Sequence, residues 1–127
     1  LLFGYTHYGY DGSQYVQSSF IAAGVDSQAT VGAGAVPGNI TLAVTPDNGV
    51  TTYSVVVNKD GNFGINTITP SKKLVVNGNA QVVNELLLGN MDQTAINALT
   101  AANGMIVYNT STNKFQGYEN GAWANLI

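Results

Sequence analysis

Cysteine is absent from all 127 residues, which excludes disulfides, thiol catalysis and cysteine-ligated zinc together. Arginine is absent too, and four lysines face seven acids for a net charge of −3. No basic run is available to neutralise phosphates, so nucleic acid is not an expected partner. Charged residues make up only 9 % of the chain, against roughly a quarter in ordinary globular domains. With 45 % hydrophobic residues this scarcity does not signal disorder, and the chain is expected to fold. His7 is the only histidine, so one chain offers no histidine pair for a metal, and neither metal nor cofactor is expected. Apolar runs such as Leu86-Leu87-Leu88 fall far short of the ~18 residues of a membrane span, so no membrane insertion is expected. The chain opens at Leu1 without an initiator Met and reads as a fragment or processed product.

Fifteen Gly, fifteen Asn and twelve Thr fill the space instead, a balance that favours turns and strands. Asx-Gly pairs recur at Asp11-Gly12, Asn48-Gly49, Asp60-Gly61, Asn77-Gly78, Asn103-Gly104 and Asn120-Gly121, because both residue types tolerate the positive φ of tight hairpins. Between them the runs 15–23, 40–45, 51–58, 63–69, 73–76, 80–88, 105–108, 114–118 and 122–126 read as strands, several rich in Val, Ile, Thr and Tyr. Thr51 to Val57 becomes apolar on both faces, as in a strand packed on its own chain on one side and on a neighbour on the other. Residues 24–38, rich in Gly and Ala and ending in Pro37-Gly38, read as a surface loop. Only residues 92–102 read as helical, with Asp92 as N-cap, Gly104 as the stop, and Ala95, Ile96, Leu99 and Ala102 on one face. The composition divides the chain at 1–50, a β-rich shaft-like region, 51–90, a strand repeat, and 91–127, the helix followed by a small β module. So thin a core in so short a chain calls for oligomerisation.

The stretch from Asp60 to Ala80, with Gly64-Ile65-Asn66-Thr67, Pro70 and Leu74-Val75-Val76-Asn77-Gly78, resembles a segment built on Gly-Ile-Gly-Thr that is common in bacteriophage tail fibres and related adhesins. Asn66 replaces its second glycine, and Val75 replaces an aspartate. Val36-Pro37-Gly38-Asn39-Ile40-Thr41-Leu42 is similar to the stretch that commonly precedes that segment, and residues 98–123 look like the C-terminal tip module of fibre proteins. These similarities cover residues 36–127. They imply an all-β chain with one short helix, an intertwined homotrimeric fibre segment with a small C-terminal tip. The implied location is the virion tail or extracellular space, and the implied partners are other virion tail proteins and a host surface glycan or outer-membrane receptor. Asp60, Gly61, Asn77 and Gly78 fall at the structural turns of this pattern.

Two aromatic groups are candidate receptor contacts, since aromatic faces stack on sugars while hydroxyls and amides complete the hydrogen bonds. The first is the opening cluster Phe3, Tyr5, His7, Tyr8, Tyr10 and Tyr15, for which inter-chain packing is the competing role. The second is Tyr108, Phe115, Tyr118, Glu119 and Trp123, with Asn109, Asn113, Gln116 and Asn120 between them. Alternation along 115–118 places Phe115 inward and Tyr118 outward, so Tyr118, Trp123, Tyr108, Glu119 and Asn120 are the expected receptor-binding residues. The acids sit beside turns, no pair stands out as a glycosidase couple, and no catalysis is expected. The function read from the sequence is attachment by the distal part of a tail fibre; a purely structural fibre segment, a bacterial surface adhesin and, last, a polysaccharide depolymerase are the alternatives.

Overall fold

A computed structural model describes residues 3–47 and 49–126; Asn48, the first residue of one expected turn, lies outside the described residues. The chain forms two compact units, Leu1–Ala80 and Gln81–Ile127. The composition shifts near 50 and 90 follow residue type, whereas strand pairing ties residues 3–76 into a single sheet.

That sheet has the order β1 (Phe3–Tyr10), β2 (Tyr15–Val25), β3 (Gly38–Val44), β4 (Thr52–Val57), β5 (Phe63–Ile65), β6 (Leu74–Val76). All pairs are antiparallel except β5 with β6. Sequential hairpins follow from the Asx-Gly chemistry. The Asp11 carboxylate accepts from the Ser13 and Gln14 N–H groups at 2.8 Å, and Gly12 takes φ +100°. At the β4–β5 turn Asn58 Oδ1 accepts from the N–H groups of Asp60 and Asn62, with Gly61 at φ +67°. Asn66 stands at φ +54°, where glycine or asparagine is favoured. Its amide also exchanges hydrogen bonds with Asn77, Nδ2 to carbonyl, at 3.0 and 3.1 Å. This crosslink closes the turn after β6 on the end of β5.

Because residues alternate across the pleat, the register draws rows of side chains over the sheet. One row runs Tyr5, Ile21, Leu42, Val55, Ile65, Val76 and the next Phe3, Ala23, Ile40, Val57, Phe63, Leu74. Every position on both rows is apolar or tyrosine. The opposite face carries the smaller row Gly4, Ala22, Thr41, Val56, Gly64, Val75. Here Thr67 and Pro70 pass so close that a Cβ on Gly64 would stand 2.5 Å from the Thr67 carbonyl oxygen. The buried aliphatic side chains of this unit are Ala43 and Val56, both on that second face.

The loop between β2 and β3 covers residues 26–37, close to expectation, and it is pinned by Asp26. This carboxylate is buried and accepts from the Lys59 and Gln28 N–H groups, each at 2.9 Å. Those bonds, the Lys59 one first, hold its pKa below the ordinary aspartate value.

The second unit has the sheet order β10 (Ala122–Asn125), β9 (Lys114–Glu119), β8 (Ile106–Asn109), β7 (Asn90–Met91), with β7 parallel to β8. Helix α1 spans only Gln93–Asn97, and Asp92 caps it by accepting from the Ala95 N–H at 2.8 Å. The cap matches the sequence reading; the length does not. The helix ends at Ala98, and Gly104, at φ +93°, donates instead to the Tyr118 carbonyl. Residues 99–105 are drawn into the approach to β8, and a helix so short has little intrinsic stability with which to resist.

Two strand expectations fail. The run 63–69 is a strand only to Ile65, where Asn66 turns the chain. Residues 80–88 form no strand at all: across 79–89 no hydrogen bond reaches any other described residue. Val83 and Leu87 stand 85 % and 89 % exposed there. The β-rich composition is real, but among the described residues no strand pairs with it.

Candidate functional site

The β9–β10 hairpin turns through Asn120 and Gly121, at φ +50° and +82°, the paired positive values of a type I′ turn. Its register sets Tyr118 directly opposite Trp123, their rings 5.2 Å apart and inclined at 68°. Edge-to-face contact of this kind adds about 0.5–1.5 kcal/mol beyond burial. Both rings are half-buried, so each keeps part of its face open to solvent.

The five expected contact residues do not form one cluster. Tyr108 lies on the other face of the sheet, opposite Phe115, with rings 5.0 Å apart. Glu119 shares that face by alternation, and Asn120 serves the turn. The parity of β9 is also the reverse of the expectation: Phe115 is 40 % exposed, while Gln116 is buried at 9 %. The reason is a relay of amides that makes a polar side chain stable inside. Asn109 Nδ2 donates to Gln93 Oε1 at 2.8 Å and to Gln116 Oε1 at 3.0 Å. Gln116 Nε2 donates to Asn125 Oδ1 at 3.0 Å, and Gln93 Nε2 to Asn97 Oδ1 at 2.8 Å. Asn109 Oδ1 accepts from the Ser111 N–H at 2.9 Å. Asn109 is fully buried, so it and Gln116 are structural amides and not the ligand-facing amides their spacing suggested.

The opening aromatics divide as well. Phe3 and Tyr5 stand on the apolar rows with rings 5.7 Å apart, while Tyr10 and Tyr15 face each other beside the first turn at 5.3 Å. His7 Nδ1 lies 3.3 Å from the Ser19 hydroxyl. Among the described residues no group of three His, Cys, Asp or Glu side chains gathers at one place. The carboxyls with a displaced pKa, Asp11 and Asp26, are both pulled down by backbone N–H groups, which favours the ionised acceptor over a proton donor.

One feature escaped the sequence. A groove of about 500 Å³ lies on the second face of the first sheet, lined among others by Gln17, Phe20, Asn39, Thr41 and Tyr53. Phe20 and Tyr53 meet edge to face at 6.0 Å. The half-buried amides of Gln17 and Asn39 have no hydrogen-bond partner among the described residues. Tyr53 reaches this face because the register slips between Leu42 and Ala43; no spacing in the sequence announces such a bulge.

Residues 64–127, half of the chain, match the model of the phage tail-like trimerisation region. The chain belongs to the phage tail-like trimerisation family. No curated protein matches it. Membership of a phage tail-like trimerisation family makes the chain a component of a virion tail, and the assembly state it carries is the homotrimer. The trimerisation region takes in β5 from Gly64 onward, β6 and the whole second unit, and with it Tyr108, Tyr118, Glu119, Asn120 and Trp123. No helix among the described residues is long and apolar enough to cross a membrane.

Proposed function

We propose that this chain is the structural and adhesive distal part of a phage tail fibre, and that it attaches the virion to a glycan or lipopolysaccharide on the host surface. The observation that carries the reading is the Tyr118–Trp123 pair, which presents two partly open aromatic faces inside the trimerisation region. Aromatic faces of this kind bind sugar rings with little loss of conformational freedom. Each trimer repeats the pair three times, so weak single contacts combine through effective concentration into firm attachment. No catalytic step is assigned to the chain, and glycan release is not part of this reading.

A purely structural role is the second reading, favoured by the half-burial of both rings on the sheet face that carries Val107 and Gln116. Tyr118→Ala and Trp123→Ala separate the two. Adhesion predicts that fibre adsorption to host cells falls at least tenfold while the native mass and melting temperature hold. If adsorption is unchanged, or falls only together with the trimer, the rings are structural. Release of reducing sugar from host envelope polysaccharide would overturn the non-enzymatic assignment.

A further inference from the structure

The family match accounts for trimerisation only from residue 64 onward. We propose that the trimer contact extends upstream to residue 3, through the apolar face of the β1–β6 sheet, and that the occupants of this face are the same faces of two further copies of this chain.

Four observations converge. The two rows cross all six strands without a charged side chain. They are open: Tyr5 is 64 % exposed, Ile21 51 %, Ile40 53 % and Leu74 61 %. Monomeric proteins rarely expose a contiguous apolar patch above a few hundred Å², whereas large side chains at about half exposure on two six-residue rows amount to on the order of 1,000 Å², the scale of a specific interface. Second, the sheet buries almost nothing of its own, with Ala43 and Val56 as its buried aliphatic residues, and a single layer of strands needs a second layer to exclude water.

Third, the chain exposes 9233 Å² in all. A compact monomer of 13.3 kDa exposes roughly 6,500 Å², and two separate compact units of this size about 7,700 Å², by the usual area scaling. The excess is shared between the uncovered sheet and the unpaired stretch 79–89. Fourth, the rows run without interruption into Ile65, Leu74 and Val76, which belong to the trimerisation region. A face whose last strands lie inside the trimerisation region is continuous with it, and its remaining strands are placed to meet the same neighbours. With this face turned inward, the Phe20–Tyr53 groove on the opposite face is left open to solvent.

The absence of cysteine makes a clean test, since any introduced thiol is unique. Leu42→Cys places it mid-sheet on the apolar rows and Ser13→Cys on the exposed first turn, each in the full chain, with native mass by light scattering and melting temperature confirming assembly and folding. The probe is a small maleimide. The proposal predicts a mass of three chains and labelling of Leu42→Cys at least tenfold slower than Ser13→Cys, the difference vanishing in denaturant. Equal labelling rates in a trimer would overturn it while leaving the family assignment intact, because the trimer would then rest on residues 64–127 alone. A single-chain mass for the unsubstituted protein would overturn the proposal and the homotrimer together, while the sequence match over residues 64–127 would stand. Leu42→Glu adds a second readout: loss of the trimer supports the interface, and an intact trimer with a charge at that position rules it out.

Discussion

The two units meet a shortage of core in opposite ways. The unit ending at Ala80 is built from six strands and leaves its two best apolar rows in water, whereas the unit beginning at Gln81 buries Ile96 and Val107 and closes the rest of its interior on Asn109 and Gln116. Amides that satisfy one another make an interior that needs no outside partner. Rows of Ile, Leu, Val and Phe with nothing above them make one that does. Polar self-satisfaction and an uncovered apolar face thus stand side by side in one short chain, and the trimerisation region takes in all of the first kind of interior and the last strands of the second.

The largest expected effect breaks the self-sufficient half. Asn109→Ala strands the buried Gln116 acceptor and takes a partner from the half-buried Gln93 and the exposed Ser111 N–H, at a cost of about 1–3 kcal/mol. Trp123, the single tryptophan, reports it: the fluorescence melting transition falls by several degrees, and an unchanged transition would show that the relay carries no stability. Next comes Gly64→Ala, whose added carbon meets the Thr67 backbone oxygen. A loss of about 1–3 kcal/mol is expected from such overpacking, read in the denaturation midpoint of the first unit. If the variant is neutral, the chain over β5 is looser than its geometry shows.

Acid gives a smaller, local effect. The folded-state pKa of Asp26 is depressed, so its contribution is complete above the ordinary carboxyl range near 4 and is lost as pH falls through the lower folded value. The Lys59 and Gln28 amide proton shifts should therefore titrate together below pH 4, and Asp26→Asn should abolish that titration. The smallest change is Gly117→Ala. Its Cβ would touch the Leu126 side chain at 2.9 Å, a flexible end that can move aside, so less than about 1 kcal/mol is expected. A larger loss would show Leu126 to be held firmly against the sheet.

Much of this was readable from residue types alone. The hairpin turns at Asp11 and Asn120 and the cap at Asp92 are local chemistry, decided within four residues, and the structure has them where the sequence puts them. The strand runs 40–45, 51–58 and 73–76 were also visible from their Val, Ile and Thr content, and β3, β4 and β6 stand there. What stayed hidden depends on contacts distant in sequence. The burial of Gln116 is stable only because Asn109 and Asn125 arrive beside it, so alternation alone assigned β9 the wrong inner face. The Phe20–Tyr53 groove depends on a one-residue slip between β3 and β4, which moves a ring to the other face of the sheet. Residues 80–88 have the composition of a strand and lack a partner within the chain, and composition reports propensity without reporting supply.

The unpaired stretch has a consequence for the life of the protein before assembly. Amide protons at 79–89 in a lone chain exchange with solvent as fast as in a peptide, and a protease finds an extended, accessible backbone with leucines to grip. Rapid exchange and early cleavage confined to those residues are therefore the expected marks of a lone chain, read by hydrogen exchange and limited proteolysis.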